Sequence, residues 1–195
     1  VKRALDILVS SAALLAFAPI ALVIALAIKT NDGGPVFFRQ SRVGRDGHEF
    51  AMLKFRTMRV DAEAQLAALL EQNEGSGPLF KLKRDPRVTR VGQVLRTFSL
   101  DEVPQFWNVL RGDMSVVGPR PPLPAEVTAY DGTVFRRLYI KPGITGPWQV
   151  GGRSDLSWEE SVRLDLRYVE NWTVMTDLVL MWRTAKVMVT TEGAY

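Results

Sequence analysis

Residues 7–28 read ILVSSAALLAFAPIALVIALAI, an apolar run interrupted only by Ser10, Ser11 and Pro19. How this run meets a membrane decides the fold. As one α-helix it would reach roughly 33 Å, enough to cross a hydrocarbon layer of about 30 Å. Pro19 divides it into arms of roughly 18 and 14 Å, each too short to cross alone. Basic residues flank both ends, Lys2 and Arg3 before it and Lys29, Arg39 and Arg42 after it, so the positive-inside rule gives no orientation. A bent element that dips in and returns satisfies both flanks, and a proline-kinked spanning helix is also tolerated. Both stay open at this point. A cleaved signal peptide does not fit, because the run is too long and no small-residue cleavage site precedes a polar mature start.

Outside the run, composition is that of a folded protein: 195 residues, 47% hydrophobic and 24% charged. The expected division is a membrane element over 1–30 and a second part over 31–195 that forms one structural unit with it. Cysteine is absent and His48 is the single histidine, which removes disulfide frameworks, thiolate chemistry and His-rich zinc sites. Chemistry must then run on carboxylates, arginine, lysine and a hard metal ion. A net charge of +4 and a pI near 9.6 point to an anionic partner: nucleic acid, an acidic membrane surface or a phosphorylated substrate. The chain starts at Val1 without an initiator methionine, from which a longer parent protein is expected.

After the run, PVFFRQSRVGRDGHEFAMLKFRTM places two strand-like stretches around Asp46-Gly47, a β-hairpin signal. His48 is expected exposed on the second strand. DAEAQLAALLEQ, 61–72, reads as a helix, followed by the break NEGSGP. LFKLKRDPRVTR, 79–90, carries Lys81, Lys83, Arg84, Arg87 and Arg90, a solvated face or one that meets anionic headgroups at about 1 kcal/mol per residue. VVGPRPPLP and KPGITGPWQVGGR look too irregular for regular secondary structure and are expected to be site-forming loops. An amphipathic helix should start near Ser157, and TDLVLMWRTAKVMV reads as a final apolar helix.

Chemistry concentrates at SLDEVPQ, 99–105. Ser99 and Glu102 fit the capping-box spacing. Pro104 opposes that reading, since it would fall inside the helix where its ring and missing N–H are harmful. A helix starting later leaves Asp101 and Glu102 at its N-terminal boundary. Capping accounts for one acid and not for two. Arg96, Arg120 and Arg153 lie in segments able to converge on this pair, and guanidinium forks beside carboxylates suit a diphosphate, a nucleophile and Mg²⁺. Each arginine alone reads first as a structural ion-pair partner; the case rests on the set.

The chain resembles the bacterial sugar transferases, the monotopic polyprenyl-phosphate phosphoglycosyl transferases. The likeness is carried by KRALDI with its proline-interrupted segment, GGPVFFRQSRVGRDGHEFAMLKFRTM, LRTFSLDEVPQFWNVLRGDMSVVGPRP and KPGITGPWQVGGR. It implies an α+β, mainly helical fold with a re-entrant helix-break-helix at Ala18-Pro19, a β-hairpin, amphipathic interfacial helices and Gly/Pro-rich active-site loops. It implies that Asp101 attacks a UDP-sugar, releases UMP and passes the phosphosugar to a polyprenyl phosphate, and that Glu102 helps hold Mg²⁺. Arg96 and Arg120 match phosphate-contacting positions, Arg153 a position near the nucleotide, and Lys54 and Pro121 further active-site positions. The resemblance also implies a lipid bilayer as partner, the cytoplasmic face of a bacterial inner membrane as location, and homodimers among the larger members. Trp148 stands where the larger members have it, and those commonly transfer glucose 1-phosphate or galactose 1-phosphate. The competing class is a non-enzymatic basic module that binds a membrane surface; no nucleic-acid motif is present.

Overall fold

A computed structural model describes residues 1–69, 82, 85–151 and 156–190. The fold is α+β and mostly helical. Its long first helix, α1 (Lys2–Asp32), contains the whole apolar run and closes on Gly33 in the left-handed conformation. The Ala18-Pro19 step does not divide α1 into two elements. Proline removes one helical hydrogen bond and crowds the preceding turn. Here Ala18, Pro19 and Ile20 are all exposed, so the turn they occupy loses no packing.

One stripe of α1 packs inward. Asp6, Ser10, Ile24 and Ile28 are buried, and Val9, Phe17 and Ala21 pack partly against the core on the same face. The opposite face exposes Leu8, Leu15, Leu22, Val23 and Leu26. A helix apolar on all sides, with only one side covered by protein, needs a non-aqueous neighbour for the other.

Both ends of α1 are fastened to the same body. Near its start, Lys2 Nζ donates to Asp177 Oδ2 (2.7 Å), the Tyr168 hydroxyl (3.1 Å) and the Val117 carbonyl (3.0 Å). Arg3 donates to the carbonyls of Val109 (2.6 Å) and Leu110 (2.7 Å). Those are last-turn carbonyls of α4 (Gln105–Arg111), where a cation is favoured. Buried Asp6 accepts from the Ser115 hydroxyl (2.8 Å) and the Val116 N–H (2.9 Å). At the far end, Asp32 is bonded by Arg56 (2.6 Å).

The hairpin forms as expected. β1 (Phe37–Val43) and β2 (Glu49–Phe55) pair antiparallel, Phe37 opposite Phe55 and Val43 opposite Glu49. Asp46 and Gly47 take positive φ in the turn, while His48 is exposed and lies just before β2. Of the helix expected over 61–72, residues 61–65 form turns instead, α2 covers Leu66–Leu69, and 70–72 lie outside the described residues. Of the basic run, Lys81, Lys83 and Arg84 lie outside them too. Arg87 is buried against Asp85, and Arg90 opens α3 (Arg90–Thr97).

The two Gly/Pro-rich stretches are more regular than expected. β3 (Ser115–Val117) and β4 (Gly143–Thr145) pair parallel through Ser115–Gly143 and Val117–Thr145. A Cβ on Gly143 would sit 2.1 Å from the Gly118 nitrogen, so the approach depends on its missing side chain. Short helices α5 (Pro124–Val127), α6 (Gly132–Phe135) and α7 (Pro147–Val150) flank this pair. The two long C-terminal helices are α8 (Trp158–Glu170), opened by a complete Ser157/Glu160 capping box, and α9 (Val174–Thr190). One core cluster joins Met52, Val109, Met114, Val116, Val117, Tyr168 and Leu180; a second joins Ile24, Ile28, Phe55, Leu95 and Val103.

Candidate active site

The acidic pair sits on a 3₁₀ turn, Leu100–Glu102, and not on an α-helix. Ser99 makes no side-chain cap; it adopts the left-handed conformation (φ 54°) instead. This turns the chain sharply between α3 and the acidic pair, an arrangement unusual for a residue with a Cβ. Pro104 caps α4 from outside, where its missing N–H costs nothing, so the later helix start expected from the proline is what occurs. Asp101 is 8% exposed, and Glu102 beside it is half-buried.

Lys54, near the end of β2, bridges both acids. Its Nζ lies 2.7 Å from Glu102 Oε1 and 3.8 Å from Asp101 Oδ2. Asn108 on α4 sets this placement. It is fully buried, accepts from the Leu53 N–H (2.9 Å) and donates to the Ala51 carbonyl (2.9 Å) and Asp113 (3.1 Å). One amide thereby locks β2 to the helix that follows the acidic pair. Nothing in the spacing of Asn108 marked it in the sequence.

Arg96 leaves the last turn of α3, and its Nε donates to Thr57 Oγ1 (3.0 Å). α3 reaches Thr57 because Gly92 lacks a side chain; a Cβ there would lie 1.9 Å from the Thr57 carbonyl oxygen. Arg120 forms a fork on Glu126, with distances of 3.0 and 3.4 Å, and its guanidinium lies 5.9 Å from the Trp148 ring centroid. Glu126 is 1% exposed and was not singled out in the sequence. Pro121 is buried, and its carbonyl accepts from Arg42 Nη1 (3.0 Å). Arg153 lies outside the described residues.

These groups meet in one cleft of about 1510 Å³, lined by Lys54, Arg96, Asp101, Glu102, Arg120 and Trp148 among others. That exceeds the usual range of small-ligand pockets, roughly 300–1,000 Å³. Its walls continue into apolar residues of α1 and α9, including Val9, Phe17 and Met181. Asp101, Glu102, Arg96, Arg120 and Lys54 are thus brought together.

Burial pushes the Asp101 carboxyl above the ordinary carboxylate range; Glu102 adds to the rise, and Lys54 and then Arg96 oppose it. A desolvated carboxylate beside cations has the chemistry to act as a nucleophile toward an anionic electrophile. For a divalent cation, no group of three acidic or histidine ligands exists among the described residues. Mg²⁺ bound through one or two carboxylates and substrate phosphates needs no such group, and the Asp101/Glu102 pair fits that donor set.

Comparison with known proteins places residues 1–191 on the family model described as bacterial sugar transferase. The galactosyl transferase CpsE of Streptococcus agalactiae is 46% identical over 99% of this chain, which spans 43% of that protein's length. The exopolysaccharide production protein ExoY of Rhizobium meliloti is 43% identical over the whole chain and 88% of its own length. The undecaprenyl-phosphate galactose phosphotransferase of Salmonella typhimurium is 42% identical, again over the whole chain but only 41% of its length. The chain therefore spans less than half of two of these relatives.

Proposed function

This chain belongs to the bacterial sugar transferase family, and from that premise we propose that it moves a sugar 1-phosphate from a UDP-sugar to a polyprenyl phosphate. An Asp101 carboxylate oxygen attacks the sugar-bearing phosphorus. The phosphorus bond to the bridging oxygen breaks, and UMP departs with that oxygen. The resulting acyl phosphate holds the phosphosugar on Asp101. A phosphate oxygen of the polyprenyl phosphate then attacks the same phosphorus, the bond to Asp101 breaks, and the carboxylate is restored.

The observation that carries this reading is the cleft itself: Asp101 faces a space large enough for a nucleotide sugar, with Lys54, Arg96 and Arg120 on its walls. Lys54 favours the ionised form of Asp101. Arg96 and Arg120 offer planar donors to phosphate oxygens. Glu102, with Asp101, would hold Mg²⁺, which when bound neutralises diphosphate charge. Arg153 belongs in this proposal by its family position alone, near the nucleotide end.

The names of CpsE and the Salmonella relative support galactose as the sugar, with glucose as the second choice. ExoY's name supports a role in exopolysaccharide production, and transfer to the lipid carrier would make this its first step. For the membrane, the apolar outer face of α1 supports residence in one leaflet of the bacterial inner membrane, on the cytoplasmic side. Family membership supports an element that enters and returns; in this structure α1 runs unbroken past Pro19, with both ends and an inner stripe held to one body.

The deciding assay supplies the protein in nanodiscs with UDP-galactose or UDP-glucose, polyprenyl phosphate and Mg²⁺. UMP should be released and, without acceptor, a hexose-phosphate mass adduct should form; Asp101→Asn should lose both. Release of UDP, or an active Asp101→Asn, overturns the mechanism. A non-enzymatic membrane-surface module would release neither nucleotide.

A further inference from the structure

The cations around the cleft differ in what holds them. Lys54 is bonded to Glu102, Arg120 to Glu126, Arg56 to Asp32 and Arg87 to Asp85. Among the described residues, Arg39, Arg42, Arg59 and Arg96 line the same cleft with no carboxylate at ion-pairing distance; Arg39 and Arg59 are exposed, which leaves Arg42 and Arg96 as the half-buried cations. Arg96 is already placed beside Asp101. Arg42 has different charged neighbours, Arg120, Glu126 and Glu102, and lies on the half-buried face of β1 with Phe38 and Gln40, as the two-residue strand period requires.

Arg42 is held entirely by neutral oxygens. Its Nη1 donates to the Pro121 carbonyl (3.0 Å), and its Nε (3.1 Å) and Nη2 (2.7 Å) both donate to Gln40 Oε1. A guanidinium has five N–H donors, so donors are left over on both terminal nitrogens. The charged groups that act on it are Arg120, then Glu126 and Glu102. Desolvation first, and the charge of Arg120 second, pull Arg42 down to about 10. It stays protonated at neutral pH, with its charge poorly compensated. Two guanidiniums close together at one cleft wall repel unless an anion lies between them.

Holding the fold together is not a sufficient reason for this arrangement. The neighbouring backbone bond from the Val43 N–H to the Pro122 carbonyl (2.9 Å) already ties β1 to the same loop. We propose that Arg42 is an anion-binding residue of the cleft, gripping a phosphate of the nucleotide diphosphate next to Arg120. The proposal rests on the reading of the cleft as a phosphate site. It gives Arg42 a separate part in it: Arg120 arrives with its charge offset by Glu126, whereas Arg42 brings a charge still in need of a partner.

The test is binding of inorganic pyrophosphate to the full chain in nanodiscs, measured by calorimetry for the parent, Arg42→Gln and Arg42→Lys, with a melting temperature for each. Arg42→Gln should weaken pyrophosphate about tenfold or more, the scale of one charge-assisted fork, and Arg42→Lys by a smaller factor. Both should melt close to the parent. Pyrophosphate affinity unchanged in the variants overturns the proposal, as does a lower melting temperature with unchanged affinity, which would give Arg42 a structural role only. If Arg42→Gln does not fold, Arg42→Lys decides by the same criterion. The readout is separate from turnover. A parent that releases no UMP but loses pyrophosphate on Arg42→Gln sinks the activity and keeps the site. A parent that releases UMP and binds pyrophosphate equally well without Arg42 does the reverse.

Discussion

Asp101 combines the properties that make it reactive with those that make it costly to fold. Its carboxyl is raised mainly by burial, with Lys54 the largest opposing influence and Glu102 acting in the same direction as burial. If the ionised form is the nucleophile, the acid limb of the pH–rate profile lies above the ordinary carboxylate range. Lys54→Met removes a lowering influence and should move that limb to higher pH; Glu102→Gln removes a raising one and should move it lower. Stability has the opposite sign. A carboxyl raised on folding stabilises below its unfolded value, and that contribution is lost as pH rises through the folded value. The ionised form of Asp101 is therefore a net cost to folding, and Asp101→Asn should melt at or above the parent temperature in calorimetry while losing activity. The acids, Arg96 and Arg120 were legible in the sequence because charge and spacing mark them, and Lys54 through the family resemblance alone. Glu126 and Asn108 were not, since a lone acid and a lone amide become meaningful only once the chain places Arg120 and β2 against them.

At the scale of elements, the site depends on how closely α3 and α1 approach their neighbours. Gly92 lets α3 press on the Thr57 carbonyl. Gly92→Ala must push that helix outward, at a cost of about 1–3 kcal/mol in denaturant titration. It should also displace Arg96 from Thr57 and weaken phosphate binding. Lys2 was read from the sequence as a topological charge flanking the membrane run. In the fold it is a tether, bonded to a carboxylate that is 1% exposed and also receives the Tyr168 hydroxyl and the Trp172 N–H (3.0 Å). Lys2→Met should cost about 2 kcal/mol, the scale of a lost hydrogen bond to a charged group, read as a lower melting temperature. The hairpin and the Ser157 helix start were legible because turn and cap chemistry are local. The β3–β4 pair was not, because two three-residue strands joined across distant segments leave no periodic signal in either.

For the whole molecule, the decisive feature is that α1 serves two environments at once. Its inner stripe closes both core clusters, while its outer face remains apolar and uncovered. Replacing outward residues, as in Leu15→Glu with Leu22→Glu, should reduce co-flotation with anionic vesicles strongly. It should leave the circular-dichroism melt close to the parent's, since both side chains are exposed in the protein alone. Loss of folding without loss of flotation would mean the outer face packs against protein instead.

The sequence by itself determined the composition of the site, the hairpin, the apolar first helix and the family, because these reside in local pattern: charge, turn residues, hydrophobic runs and motif order. It left open how the apolar run is used and which cations are neutralised. Only the tertiary structure decided that both ends of α1 attach to one body, that Glu126 offsets Arg120 and that Arg42 faces the cleft without a carboxylate. The first rests on hydrogen bonds between residues far apart in the chain; the other two depend on how the chain folds around short-range pairs, and all depend on burial that no single segment encodes.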